Sequence, residues 1–288
     1  MSAEGRGVID AATPGHALAI VLAMGRDRMW VTDAATDARR LLAHAAGIEA
    51  DRLRLLDVED YTDALISRYL ALVERRNRGE PVSHILGYRD FWKHRFKVTP
   101  DVLDPRPETE VLIEAALEVP FRKVLDLGTG SGAIIISLLA ERPEARGVGT
   151  DISERGILVA GENAAAIGVV DRLVLPLSDW FEDVGGLYDL IVSNPPYIAA
   201  EEMPSLAPDL LFEPRMALTD EVDGLSAYGV ISAGARSRLT PGGWLMVEIG
   251  PSQGGAVSAM FKAAGLENVQ IRPDLDGRDR VVMGQNPQ

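Results

Sequence analysis

The stretch Asp189-Leu-Ile-Val-Ser-Asn-Pro-Pro-Tyr197 carries residue types suited to a planar, weakly nucleophilic NH2 group. In an amide or aromatic amine the nitrogen lone pair is delocalised, so attack on carbon needs the nitrogen oriented and pyramidalised. Two acceptors, the Asn194 side-chain oxygen and the Pro195 carbonyl, can each take one N–H. Tyr197 can pack on the flat face of the group bearing the nitrogen. The stretch also supplies stiffness. Leu190-Ile-Val-Ser193 is an apolar, β-branched run that reads as a buried strand. Pro195 and Pro196 then stop the sheet, and Pro195 pushes Asn194 towards an extended backbone. The loop lies at the carboxyl end of a strand, where open α/β sheets bind ligands. An ordinary proline turn is the competing reading, but Asn-Pro-Pro-Tyr straight after an apolar strand is far more specific than Asn-Pro alone.

A second constellation lies upstream. Lys123-Val-Leu-Asp-Leu127 reads as a strand, Gly128-Thr129-Gly130-Ser131-Gly132 as a turn, and Ala133 to Ala140 as a helix. Glycines permit positive φ and close approach, and a helix N-terminus offers backbone N–H groups to a ligand's polar end. Asp151 follows the second strand, about twenty residues on, where an acid holds ribose hydroxyls. Glycines and acid together fit either a nicotinamide dinucleotide or S-adenosylmethionine. Asp179-Trp180, after the third strand, adds an acceptor for an adenine amine and an aromatic to cover the ring; core packing is the plainer role for Trp180. Hydride transfer would need a group to manage a carbonyl or alcohol proton. The Asn194–Tyr197 loop offers acceptors for an NH2 instead.

The elements positioning these residues fall into three stretches: 1–79, 80–110 and 111–288. Residues 1–15 lack apolar period and read as a loose tail. From His16 to about Arg78 the pattern is helical, with one helix ended by Gly47 and another placing Tyr61, Leu65, Tyr69 and Leu72 on one face. Between Glu80 and Glu110, aromatic and basic residues alternate among prolines, which predicts a β-hairpin linker. A helix opens at Glu108 or Thr109. Beyond it, strands alternate with helices: Arg146–Asp151, a helix capped by Ser153, Arg172–Pro176, the Asn194 strand, a helix capped by Asp223, then Gly243–Ile249. Asn268–Ile271 and Asp279–Met283 close the chain as an antiparallel hairpin. The order implies a doubly wound α/β fold with a mostly parallel seven-stranded sheet.

Composition narrows the function. The chain has 288 residues, 47% of them hydrophobic, which is enough for a large core. A formal net charge of −14 disfavours a long nucleic-acid footprint, whose affinity comes from phosphate neutralisation. There are no cysteines, and the four histidines show no ligand spacing, so no metal site is expected. No run approaches the ~20 apolar residues that span a bilayer. Ala17–Ala23 follows acidic Glu4 and Asp10 and lacks a basic leader, so a cytoplasmic location is expected.

Asn194-Pro-Pro-Tyr197 resembles the substrate motif of S-adenosylmethionine-dependent amino-methyltransferases. The wider pattern resembles the HemK/PrmC family, the glutamine methyltransferases of peptide chain release factors. It includes Glu80-Pro-Val, Phe91-Trp92, Val102-Leu-x-Pro-Arg-Pro-Glu-Thr-Glu110, Val124-Leu-Asp-Leu-Gly-Thr-Gly-Ser-Gly-Ala133, Glu213-Pro, Pro241-Gly-Gly-Trp-Leu, Glu248-Ile-Gly and Asp276-Gly-Arg-Asp-Arg-Val-Val282. The resemblance implies a Rossmann-like class I methyltransferase that modifies the glutamine of a Gly-Gly-Gln loop. Gly128 to Gly132, Asp151, Asp179, Trp180 and Asn194 would hold S-adenosylmethionine. Asn194, Pro195, Pro196 and Tyr197 would bind the glutamine amide, the first helical domain would grip the release factor, and the chain would act as a monomer. Asp104 departs from the family, which has an aliphatic residue before Pro-Arg-Pro. The alternatives are an adenine-N6 DNA methyltransferase using the same loop on a flipped base, a ribosomal-protein glutamine methyltransferase, and a catalytically silent cofactor-binding module.

Overall fold

The computed structural model describes residue 11, residues 13–31 and residues 33–288. The tail expected over residues 1–15 therefore lies largely outside the described residues. The chain forms two compact units. The first runs to Gly87 and also includes Pro208–Phe212; the second comprises Tyr88–Ala207 and Glu213–Gln288.

The first unit is helical, with α1 (Pro14–Arg26), α2 (Ala34–Ala46), α3 (Asp63–Asn77) and α4 (Val82–Leu86). Side-chain caps define two of the starts: Thr13 accepts from the His16 N–H and Thr62 from that of Leu65. Gly47 ends α2 in the left-handed region, as its position after the helix predicts. Leu65 and Tyr69 of α3 face the core as expected, joined by Ile66 and Val73, while Leu72 is only half-buried. Tyr61 is fully buried but precedes the helix. Arg76 on α3 donates to Asp37 on α2 at 2.8 Å in a largely buried pair. Phe212 joins this unit because its ring lies against Gly79, 3.2 Å from where a Cβ would stand.

The second unit opens with a hairpin, β1 (Tyr88–Phe91) against β2 (His94–Lys97), antiparallel with Phe91 opposite His94. Trp92 sits in its turn at φ 53°. Both its N–H groups are engaged, the backbone one by Glu110 and the indole by Glu141, which holds an unfavourable conformation in place. The helix expected near Thr109 is α5 (Glu110–Leu117), preceded by a 3-10 turn over Pro107–Thr109.

The remaining elements are β3 (Lys123–Leu127), α6 (Ala133–Glu141), β4 (Arg146–Thr150), α7 (Glu154–Ile167), β5 (Leu173–Val174), β6 (Tyr188–Ser193), α8 (Arg215–Leu218), α9 (Ser226–Ala235), β7 (Leu239–Glu248), α10 (Gly254–Ala263), β8 (Glu267–Pro273) and β9 (Asp279–Gln285). The seven strands lie in the order β5-β4-β3-β6-β7-β9-β8, parallel except for β9, which runs antiparallel to both its neighbours. This is the doubly wound architecture the sequence predicts. Its central strands are apolar on both faces because helices cover both. Val124, Leu190, Val192 and Met246 pack with α5 and α6, whereas Leu125, Leu127, Ile191 and Val247 pack with α9 and α10. The third strand is shorter than expected, only Leu173–Val174, because Pro176 has no N–H to continue the ladder. The start of α9 also differs. Asp220, not Asp223, accepts from the Ser226 N–H, and it takes those of Val222 and Gly224 as well.

The order reverses direction at β3, whose neighbours are β4 on one side and β6 on the other. Asp189 Oδ2 accepts from the N–H groups of Arg122 and Lys123, each at 2.9 Å, tying the start of β6 to that of β3. Ser193 Oγ donates to the Leu127 carbonyl at 2.7 Å at the other end. The glycine turn and the Asn194 loop therefore emerge side by side.

In the first unit, a methyl group on Gly25 would stand 1.8 Å from the Tyr69 hydroxyl oxygen, and Tyr69 is fully buried. Gly25→Ala should lower unfolding free energy by about 1–3 kcal/mol despite alanine's better helix propensity. Urea unfolding followed by circular dichroism checks this, and an unchanged or raised midpoint would show that α1 and α3 can separate at little cost.

Candidate active site

The cleft opens at the carboxyl ends of β3, β4, β5 and β6. In the turn after β3, Gly128, Gly130 and Gly132 all have positive φ, at 70°, 53° and 80°. A Cβ at Gly132 would stand 2.6 Å from the Ile136 side chain of α6 and 3.2 Å from Ala160 of α7, so that glycine serves the close approach of the two helices as well as the turn. Thr129 is tied on two sides, its N–H to the Thr150 carbonyl at 2.8 Å and its hydroxyl to Asp126 Oδ2 at 2.6 Å.

Asp151, just beyond β4, is the hub. Its Oδ2 accepts from the Gly130 N–H and its Oδ1 from that of Ser153, both at 2.8 Å. The same acid thus shapes the glycine turn and orders the residue that caps α7. Burial pushes its pKa up, and these backbone hydrogen bonds oppose the rise. Its carbonyl accepts from the Ser178 N–H at 3.0 Å, drawing the segment after β5 to the cleft. Asp179 and Trp180 follow, with Trp180 held at φ 45°. Asn163 supports the floor from behind. Only 2% exposed, it donates to the Ser131 carbonyl and exchanges hydrogen bonds with the Lys97 backbone.

Gly128, Thr129, Gly130, Ser131, Asp151, Asp179, Trp180, Asn194 and Pro196 all line this one cleft. Three residues of the sequence reading do not: Gly132, Pro195 and Tyr197. Gly132 caps α6 behind the turn. Pro195 is buried, and among the described residues no protein group donates to its carbonyl. Tyr197 packs in the apolar cluster under α9 and α10, with its carbonyl taken by Gln253 Nε2 at 2.9 Å. Burial pushes its phenol up to about 12, so it stays protonated.

Arg106 and Thr109 also line the cleft, although neither belongs to the glycine turn, the acids after the strands or the Asn194 loop. Asn194 Nδ2 donates to Thr109 Oγ1 at 3.3 Å. Arg106 pairs with Glu213. Asp104 is 3% exposed and stands behind the wall, with Arg89 at 3.8 Å and Arg106 at 3.9 Å. The only signal for these residues was their place in the Val102–Glu110 motif.

Fold and cleft together define an S-adenosylmethionine-type methyltransferase of the doubly wound class. The family described as "Methyltransferase small domain" matches residues 101–224, and "PrmC N-terminal domain" matches 27–87. A release factor glutamine methyltransferase of Cereibacter sphaeroides is 54% identical over 258 residues, covering 89% of this chain and 93% of its own. One from Caulobacter vibrioides is 44% identical over 263 residues, covering 87% and 89%. A crystal structure of a methyltransferase from Pyrococcus furiosus shares the fold, with a TM-score of 0.52, 15% identity, and coverage of 67% of this chain and 89% of that one. The chain belongs to the release factor glutamine methyltransferase family.

Two outcomes follow from the geometry. Asp151→Ala removes an acceptor shared by the glycine turn and the cleft, and should weaken S-adenosylmethionine binding about 10-fold or more. Calorimetric titration reads this, and unchanged affinity would remove Asp151 from the binding site. Asp126 is fully buried and its carboxyl is pushed up to about 7 by burial, against an ordinary value of 3.8. The unfolded chain releases this proton at the lower pH, so the group's contribution to stability is complete below about 3.8 and is lost as pH rises through about 7. Asp126→Asn should flatten that decline in urea unfolding between about pH 4 and about 7; the same slope in the variant would show the proton is held elsewhere.

Proposed function

We propose that this chain transfers a methyl group from S-adenosylmethionine to the side-chain N5 of the glutamine in the Gly-Gly-Gln loop of peptide chain release factors. The observation that carries the reading is the orientation of Asn194. Its amide lines the same cleft as Asp151 and the glycine turn, and its Nδ2 is turned to Thr109. Its Oδ1 is thereby left to accept an N–H from the cleft. Pro195 does not itself line the cleft, but its carbonyl accepts from no protein group among the described residues and is assigned as the second acceptor that orients the substrate NH2 with Asn194.

S-adenosylmethionine brings the methyl group on a sulfonium whose positive charge is lost as the methyl leaves. The chain's own residues bind and orient. Gly128, Thr129, Gly130, Ser131 and Gly132 present backbone at the start of α6. Asp151 accepts from ribose hydroxyls, since each of its oxygens keeps a second lone pair after taking one N–H. Asp179 accepts from the adenine amine and Trp180 covers the ring. Pro196 walls the cleft, and Tyr197 fixes the loop from beneath through its packing. No strong base is required, because the amide proton becomes acidic only as the new C–N bond forms. Proximity and orientation supply much of the acceleration.

The helical first unit is assigned to gripping the release factor. One chain carries every group named here, so a single copy suffices for the reaction, and a monomer is the assigned state. The absence of cysteine suits the cytoplasm. The net charge of −14 favours a protein substrate over duplex DNA.

The test is mass spectrometry of purified release factor after incubation with S-adenosylmethionine. The wild type should add one methyl to the Gly-Gly-Gln peptide, even with duplex DNA in excess. Asn194→Ala should abolish that gain while leaving S-adenosylmethionine affinity largely intact. Full turnover by Asn194→Ala, or a methyl found on DNA instead, would refute the reading.

A further inference from the structure

Two stretches far apart in the chain wall the cleft around the glycine turn. Residues 128–131 form one wall, and residues 101–103, a few positions beyond β2, form the other. Asn163 on α7 is bonded to the first wall and to the root of the second. Its Nδ2 donates to the Ser131 carbonyl at 2.9 Å and to the Lys97 carbonyl at 3.0 Å. Its Oδ1 accepts from the Lys97 N–H at 2.7 Å. A backbone carbonyl only accepts and an N–H only donates, so these partners fix which way round the amide stands. Both amide protons are spent, and at 2% exposure bulk water cannot replace a lost bond.

The rest of α7 shows what this amide adds. Arg155, Val159 and Asn163 recur every four residues and so share one face of the helix. Arg155 pairs with Asp101 at 3.1 Å, but its side chain is exposed and such a pair holds weakly. Val159 packs with Val98 and Val102, an apolar contact without direction. Asn163 supplies buried, directional bonds. On the first wall, Asp126 takes the Thr129 hydroxyl and Asp151 the Gly130 N–H, which shapes the turn from the side of β3 and β4. Asn163 joins that turn to the end of β2, and the spacing between the walls follows from it.

We propose that Asn163 is a positioning residue for S-adenosylmethionine, a tie that fixes how far the glycine turn stands from residues 101–103. The inference rests on the placement of the cofactor in this cleft given above, and it is independent of which nitrogen receives the methyl. Without the tie the walls part, and contacts to the cofactor from opposite sides cannot all be made at once. The substrate amide is oriented elsewhere, by the Asn194 loop, so chemistry on bound cofactor is spared.

Calorimetric titration of the full chain with S-adenosylmethionine tests this, with melting temperatures and steady-state methylation measured alongside. The variants are Asn163→Ala, Asn163→Asp, Glu162→Ala, Gly25→Ala and Asp151→Ala. Asn163→Asp keeps the size and the acceptor for Lys97 but sets an oxygen against two carbonyls. Both Asn163 variants should weaken binding about 10-fold or more and raise KM for S-adenosylmethionine to match, with kcat at saturating cofactor within about 3-fold of wild type. Glu162→Ala removes only an exposed side-chain pair with Lys97, so its affinity should stay within about 3-fold of wild type. Gly25→Ala, destabilised in the first unit, should also bind as wild type does, which separates lost affinity from lost stability.

Wild-type affinity in either Asn163 variant, whatever its melting temperature, would overturn this inference and leave the cofactor placement standing. Binding weakened as much in Glu162→Ala or Gly25→Ala would overturn it too, since general loosening would then explain the loss. Asn163→Ser is read by the same criteria if neither variant folds. Wild-type affinity in Asp151→Ala would overturn the placement of the cofactor itself, and the inference with it.

Discussion

The pairing of β3 with β6 is the constraint on which the rest of the second unit depends. The two strands are adjacent and parallel, with Leu127 opposite Ser193, yet they lie about sixty residues apart in the chain. One residue beyond that pair, the glycine turn begins on one side and Asn194 on the other. A slip of one residue would turn every side chain of β6 to the opposite face and carry Asn194 along the strand by about 3.3 Å. The Asp189 bonds at one end and the Ser193 bond at the other close off that slip. The apolar packing above and below enforces the same register, since Leu190 and Val192 face one cluster and Ile191 the other.

Around this junction the protein gathers buried carboxylates and gives each a structural duty. Asp126 holds Thr129, and Asp151 holds Gly130 and Ser153. In a site shielded from water such hydrogen bonds are strong and an absent partner is costly. The shape of the turn and its readiness for a ligand therefore depend on the same few contacts. Asp104, the acid that departs from the family pattern, follows this logic too. It faces two guanidinium groups behind the wall and leaves the cleft surface to Leu103, Pro105 and Arg106.

Much of this was legible in the chain because the signals are local. The apolar runs of β3, β6 and β7, the glycines after β3, the Ser153 cap and the proline stop after Ser193 are each written within a few consecutive residues. Where a feature depended on how a loop folds back, the sequence misled. Asp223 stands three residues before the start of α9 and Asp220 six, so distance along the chain favours Asp223. Only the path of the loop brings Asp220 onto the Ser226, Val222 and Gly224 N–H groups. Pro176 could have warned that the third strand would be short, since a missing N–H is a local fact.

The residues alone determined the doubly wound class, the ligand end of the sheet, and the pairing of the proline-stiffened Asn194 loop with the glycine turn after β3. Hydrophobic period, glycine and proline act over one or two turns of chain and need no partner. Tertiary structure decided the rest. It placed Pro208–Phe212 with the helical unit, put Tyr197 beneath the cleft rather than in its wall, and brought Thr109 to an amide 85 positions away. Contacts of that span follow from strand order and helix packing, and no pattern of neighbouring residues encodes them.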